Sequence, residues 1–70
     1  MDTDRYCIRN FKGEYITHQV NLSAGTDSFF FTPSSWMAYL FTGIEDARNI
    51  AAEEGGLVMR WENGAGGRHV

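Results

Sequence analysis

The segment from Ala38 to Gly56, AYLFTGIEDARNIAAEEGG, constrains the fold most, because it spells one helix with both ends specified. Thr42 is a natural N-cap, and Glu45 three residues later completes a capping box that satisfies two orphan amide donors. Ile44, Ala47, Ile50 and Ala51 recur at helical spacing and form one narrow apolar stripe. Gly55 and Gly56 supply the left-handed residue that stops the helix. A short helix with a single stripe must lie on something, and the rest of the chain is strand-like and aromatic.

Arg5–Arg9 (RYCIR) alternates, with Tyr6 and Ile8 on one side and Arg5, Cys7 and Arg9 on the other, as a first strand requires. The NFKG cluster at Asn10–Gly13 is a hairpin turn, and Glu14–Gln19 (EYITHQ) returns as the second strand. Asn21–Asp27 is loop by composition, and Ser28–Thr32 (SFFFT) is a third strand with rings on both faces. Thr32-Pro33-Ser34-Ser35 starts a helical turn. Trp36–Phe41 (WMAYLF) reads either as its continuation or as a fourth short strand, with one turn of helix followed by an extended Tyr39–Phe41 preferred. Leu57–Glu62 (LVMRWE) is the last strand, with Leu57, Met59 and Trp61 facing one way and Val58, Arg60 and Glu62 the other.

The expected fold is α+β in the order β-β-β-α-β: a small, mostly antiparallel sheet with one helix packed on one face. Residues 1–62 form a single domain, and Asn63–Val70 (NGAGGRHV) is a flexible Gly-rich C-terminal tail. The expected core joins the helix stripe to Tyr6, Ile8, Ile16, Phe29, Phe31, Leu40, Phe41, Leu57, Met59 and Trp61.

Seventy residues are enough for one domain only. A chain of this size buries only about 60% of the surface its unfolded form exposes, so it needs large side chains or a partner. The aromatic content of 14% supplies the first and leaves rings for an interface. One cysteine excludes an internal disulfide framework, and no apolar run reaches membrane-spanning length. These features predict a soluble, cytoplasmic protein. A net charge of −3 argues against broad nucleic-acid binding.

No catalytic or metal signature stands out, and neither an enzyme nor a cofactor is expected. Cys7 and His18 on neighbouring strands could pair as thiolate and imidazole or supply half a zinc site, although a lone strand cysteine is ordinarily a small buried hydrophobe. Glu45-Asp46 and Glu53-Glu54 are adjacent carboxylates on a short surface helix, where they stay wet and untuned. The glycines of GGLVMR and GAGGR do not stand between a strand and a helix, so they form no phosphate cradle.

Charge segregation is the stronger signal. The outer helix face presents Glu45, Asp46, Asn49 and Glu53, with Glu54 near its end and only Arg48 to answer them. This acidic face, with Trp36 and Tyr39 as aromatic anchors, suits a basic groove on another protein. The sheet face away from the helix is expected to carry Arg5, Arg9, Phe30 and Arg60, which would serve single-stranded nucleic acid as the alternative. The chain would be a monomer or a homodimer, the latter covering Phe30 and Val58 on that outer sheet face.

Tyr6-Cys7-Ile8-Arg9, Gly13-Glu14-Tyr15-Ile16, Phe31-Thr32, Ala38-Tyr39-Leu40-Phe41, Glu45-Asp46-Ala47-Arg48 and Val58 together resemble a class of very small phage- and prophage-encoded proteins. The resemblance spans about residues 5 to 62 and rests mostly on packing positions. Proteins of similar size and acidity in that setting include inhibitors of host defence. Among them are anti-CRISPR proteins, which bind an effector subunit and sometimes mimic DNA. The resemblance therefore implies a non-enzymatic accessory protein whose partner is a host protein, such as a CRISPR-Cas effector subunit.

Overall fold

The computed structural model describes residues 4–21, 23–62 and 64–70. Met1–Thr3 of the expected domain, Leu22 of the expected loop and Asn63 of the expected tail lie outside the described residues. The elements run β1 (Tyr6–Arg9), β2 (Tyr15–Asn21), β3 (Thr26–Thr32), a 3-10 turn (Ser35–Met37), α1 (Ile44–Glu54), β4 (Leu57–Glu62) and β5 (Ala65–His69). They build one antiparallel sheet in the order β3-β2-β1-β4-β5, with α1 packed against β1 and β4. This is a small α+β fold.

Local chemistry explains each connection. Asn10 organises the β1–β2 turn: its Oδ1 accepts the amides of Lys12 and Glu14 at 3.1 and 2.9 Å, and Gly13 takes the left-handed conformation at φ 82°. β1 and β2 meet directly at Arg9 and Tyr15, and the extended segment after the 3-10 turn joins them further along. The Tyr39 amide donates to the Ile16 carbonyl at 2.9 Å, and Phe41 exchanges two backbone bonds with Tyr6.

That anchoring shifts the helix start. Thr42 was expected to cap it, but Gly43 is the N-cap in extended conformation and has no side-chain bond, so the expected capping box is absent. The Tyr6–Phe41 bridge fixes the chain one residue upstream of Thr42, leaving Gly43 to make the turn. Glu45 and Asp46 still fall in the first turn, where they complement the helix dipole.

The core lies between α1 and the sheet. Tyr6, Ile8, Ile16, Phe41, Ala47 and Val58 are buried there, and Phe29, Phe31, Ile44, Ile50 and Ala51 pack around them. β4 is therefore turned over relative to expectation. Ile8 pairs with Val58 and Cys7 with Met59, so Val58 and Arg60 share the helix side with Tyr6 and Ile8. Leu57, Met59 and Trp61 lie on the second face, and Leu57 is 52% exposed. Leu40 is only half-buried and stands outside the cluster.

The expected flexible tail is instead β5. Glu62 pairs with Ala65 across a two-residue connection in which Gly64 has φ 79°. A register shift at Arg60/Trp61 bends this strand over the second face, where the Gly66 amide donates to the Tyr15 hydroxyl at 3.3 Å. A second small core forms beneath it. Cys7 and Tyr15 are buried, and the Tyr15 and Trp61 rings meet edge to face at 5.9 Å. Among the described residues no helix is long and apolar enough to cross a membrane.

Candidate functional site

The apolar stripe of α1 faces the sheet, so the opposite side of the helix carries what remains. Glu45, Asp46, Asn49 and Glu53 are all exposed. Arg48, the only cation on the helix, is held by Glu45 at 3.3 Å. Such an exposed pair contributes little to stability, yet it removes the local positive charge from the surface. At about 100° per residue, Glu54 falls on the sheet side of the helix and leaves the outward face. It lines a groove of about 500 Å³ with Phe11, Lys12, Phe31 and Leu57.

Two anchors were expected beside this face. Trp36 stands in the 3-10 turn with 82% of its surface exposed, and that turn packs on β2. Tyr39 is 40% exposed but belongs to a ring cluster, with centroids 5.3 Å from His18, 6.0 Å from Phe29 and 4.8 Å from Phe41. Trp36 is the freer of the two for contact with a partner.

The expected basic sheet face does not assemble. Arg60 lies on the helix side, 3.3 Å from Asp4. Arg9 sits 5.0 Å from the centre of the Tyr15 ring and donates to the Gly13 carbonyl, while Arg5 bonds to the Asp4 carbonyl. Phe30 does face the second side and is 43% exposed. Val58, expected beside it, is buried in the core.

Cys7 and His18 fall on opposite faces of the sheet, because Cys7 shares a face with Tyr15 and His18 shares one with Ile16. His18 approaches Asp27 at 3.9 Å and stacks obliquely on Phe29. No group of three metal-ligating side chains occurs among the described residues.

Burial pushes the Cys7 thiol up from 9.0 to about 11, with the Arg9 charge pulling the other way. The folded state favours the neutral thiol, so the associated stability is complete below pH 9.0 and is lost as pH rises toward about 11. At about 1.4 kcal/mol per pH unit the loss comes to roughly 3 kcal/mol. Urea unfolding of the wild type and of Cys7→Ala across this window should converge in stability as the pH rises. A pH-independent difference between them would show that the thiol is not desolvated.

The acidic outward face was legible in the sequence because it is the complement of the apolar stripe. The groove was not, since it forms where the β1–β2 turn meets the end of α1, elements that lie more than forty residues apart in sequence. The exposure of Phe11, at 97%, marks it in the fold. No protein-family model, curated protein or solved structure matches this chain.

Proposed function

We infer that this is a non-enzymatic binding protein that docks on a basic surface of another protein through the outward face of α1. Glu45, Asp46, Asn49 and Glu53 supply the contact, and Trp36, exposed on the turn that packs on β2, is the aromatic anchor for a partner that reaches past the helix. The observation that carries this reading is an exposed acidic helix face whose only cation, Arg48, is already paired. Glu53 adds to it: it stands on that face at the negative end of the helix, with no basic residue in the last turn. Carboxylates there oppose the helix dipole, and a cationic partner would relieve that repulsion.

The resemblance to small phage-encoded proteins gives the reading its biological form. The protein would act in the host cytoplasm as an inhibitor of a defence protein, such as a CRISPR-Cas effector subunit. Nucleic acid is the weaker alternative, because Arg9 and Arg60 are committed on opposite faces of the sheet.

The test is affinity capture from host lysate followed by titration of the enriched partner. The variant Asn49→Lys/Glu53→Lys places cations at the middle and the C-terminal end of the face, and the one at position 53, in the last turn, favours the helix. It should keep or raise the melting temperature and weaken binding by more than about tenfold, mainly through slower, salt-sensitive association. Undiminished binding by this variant would remove the proposed face. Recovery of nuclease-sensitive material alone would transfer the function to nucleic acid.

A further inference from the structure

The two edges of the sheet are protected very differently. β5 closes one edge with a register shift, two glycines and the charged Arg68. β3 forms the other, and its seven residues keep unbroken register with β2 from Asn21–Thr26 to Tyr15–Thr32. The strand reads TDSFFFT, with no proline, no lysine or arginine and one acidic residue near its start. Among the described residues no backbone group outside β2 bonds to β3. Alternate amides and carbonyls along its outer side therefore point away from the sheet. A long, regular edge without charged gatekeepers is the geometry that accepts another strand.

The sequence of β3 says which strand fits. We propose that β3 pairs antiparallel with β3 of a second copy of this chain, joining the two sheets across a twofold axis. Centred on Phe30, the pairing sets Phe30 against its own symmetry mate and Phe29 against Phe31 of the other copy, in both directions. Ser28 then faces Thr32. Every phenylalanine of the strand gains an aromatic cross-strand neighbour, a favoured arrangement on a sheet. Asp27 falls opposite the Pro33 position, so the two carboxylates do not confront each other. A twofold axis of this kind closes the assembly at two chains, and the blunted β5 edges cannot extend it.

The pairing stands apart from the docking face. α1 packs over β1 and β4 with its acidic face turned away from the sheet, so a dimer joined edge to edge leaves both acidic faces open and carries them on one particle. A partner with two basic sites would then be held bivalently.

Sedimentation equilibrium of the full chain across a dilution series tests the pairing. The wild type should approach twice its 7.9 kDa mass as concentration rises. Phe30→Lys, which opposes two like charges at the centre of the pairing, should remain at 7.9 kDa with an unchanged circular dichroism spectrum. Ser28→Lys, at an exposed position two residue pairs from the centre, puts a charged gatekeeper on the edge and should also favour the 7.9 kDa species if Phe30→Lys proves poorly folded. Amide exchange should show protection along the outer side of β3 in the wild type and its loss in the variant. A wild type of 7.9 kDa at every concentration would overturn the proposal, as would a dimer that survives both substitutions or protection confined to β5.

Discussion

Gly56→Ala is expected to cost about 3–5 kcal/mol, a large part of the total of roughly 4–10 kcal/mol that a domain of this length commands. Two separate penalties meet at this position. Gly56 has φ 100°, a conformation that an L side chain reaches only with strain of about 1–2 kcal/mol. A Cβ atom there would also lie 2.9 Å from Ile8 Cγ2, 3.2 Å from the Arg9 carbonyl oxygen and 3.4 Å from the Phe31 ring. Ile8 is fully buried in the central strand, so neither it nor the backbone can yield cheaply. Gly55 provides the control. It also has positive φ, at 87°, but a Cβ there meets nothing within 4 Å. Gly55→Ala should therefore show the conformational penalty alone, about 1–3 kcal/mol for a residue at φ 87° and ψ 170°, a region that glycine alone reaches readily. Urea denaturation of the two variants separates strain from collision. Equal losses would mean that α1 and β4 are not drawn as tightly onto β1 as described.

The contrast between those glycines also shows how far the sequence is legible. Both could be assigned to the helix end from composition, but only tertiary packing makes the second indispensable. The helix itself was readable because a stripe of Ile44, Ala47, Ile50 and Ala51 has one solution on a sheet. β4 was harder. Its alternation identifies a strand but leaves open which set faces α1. With one buried face assumed, the larger apolar set of Leu57, Met59 and Trp61 belongs toward the helix. The fold buries two faces, because β5 curls over Cys7 and Tyr15 and gives Met59 and Trp61 a second shelter. One missed strand thus accounts for the inverted assignment of the next. Asn63-Gly64 after an alternating run was the available signal, since that dipeptide commonly joins hairpin strands.

The same inversion explains what was readable of the candidate site. The acidic helix face depends only on helical periodicity, so it is independent of how the strands of the sheet are phased. The basic face depended on the phase of β4, and turning that strand over moved Arg60 to Asp4 on the helix side. Trp36 and Phe11 are exposed for reasons of loop geometry that no local periodicity encodes.

Val58→Asp is expected to abolish cooperative folding, whereas Leu57→Asp one residue earlier should leave the protein folded. Val58 is 5% exposed and sits beside Ile8 beneath α1, so a carboxylate there would be buried without a partner. That cost is several kcal/mol whether the group stays charged or binds a proton and remains poorly hydrogen-bonded. It approaches the whole stability of a chain this small. Leu57 is 52% exposed on the opposite face, and its replacement should change stability by about 1 kcal/mol or less, including repulsion from nearby Glu54. The two positions thus exchange fates if β4 slips by one residue, because a slip of one transfers every side chain to the other face. Circular dichroism and amide nuclear magnetic resonance spectra of both variants decide the matter. A folded Val58→Asp together with an unfolded Leu57→Asp would place Leu57, Met59 and Trp61 under the helix. It would also return Arg60 to the outer sheet face, beside Arg9 and Phe30, and with it the nucleic-acid alternative.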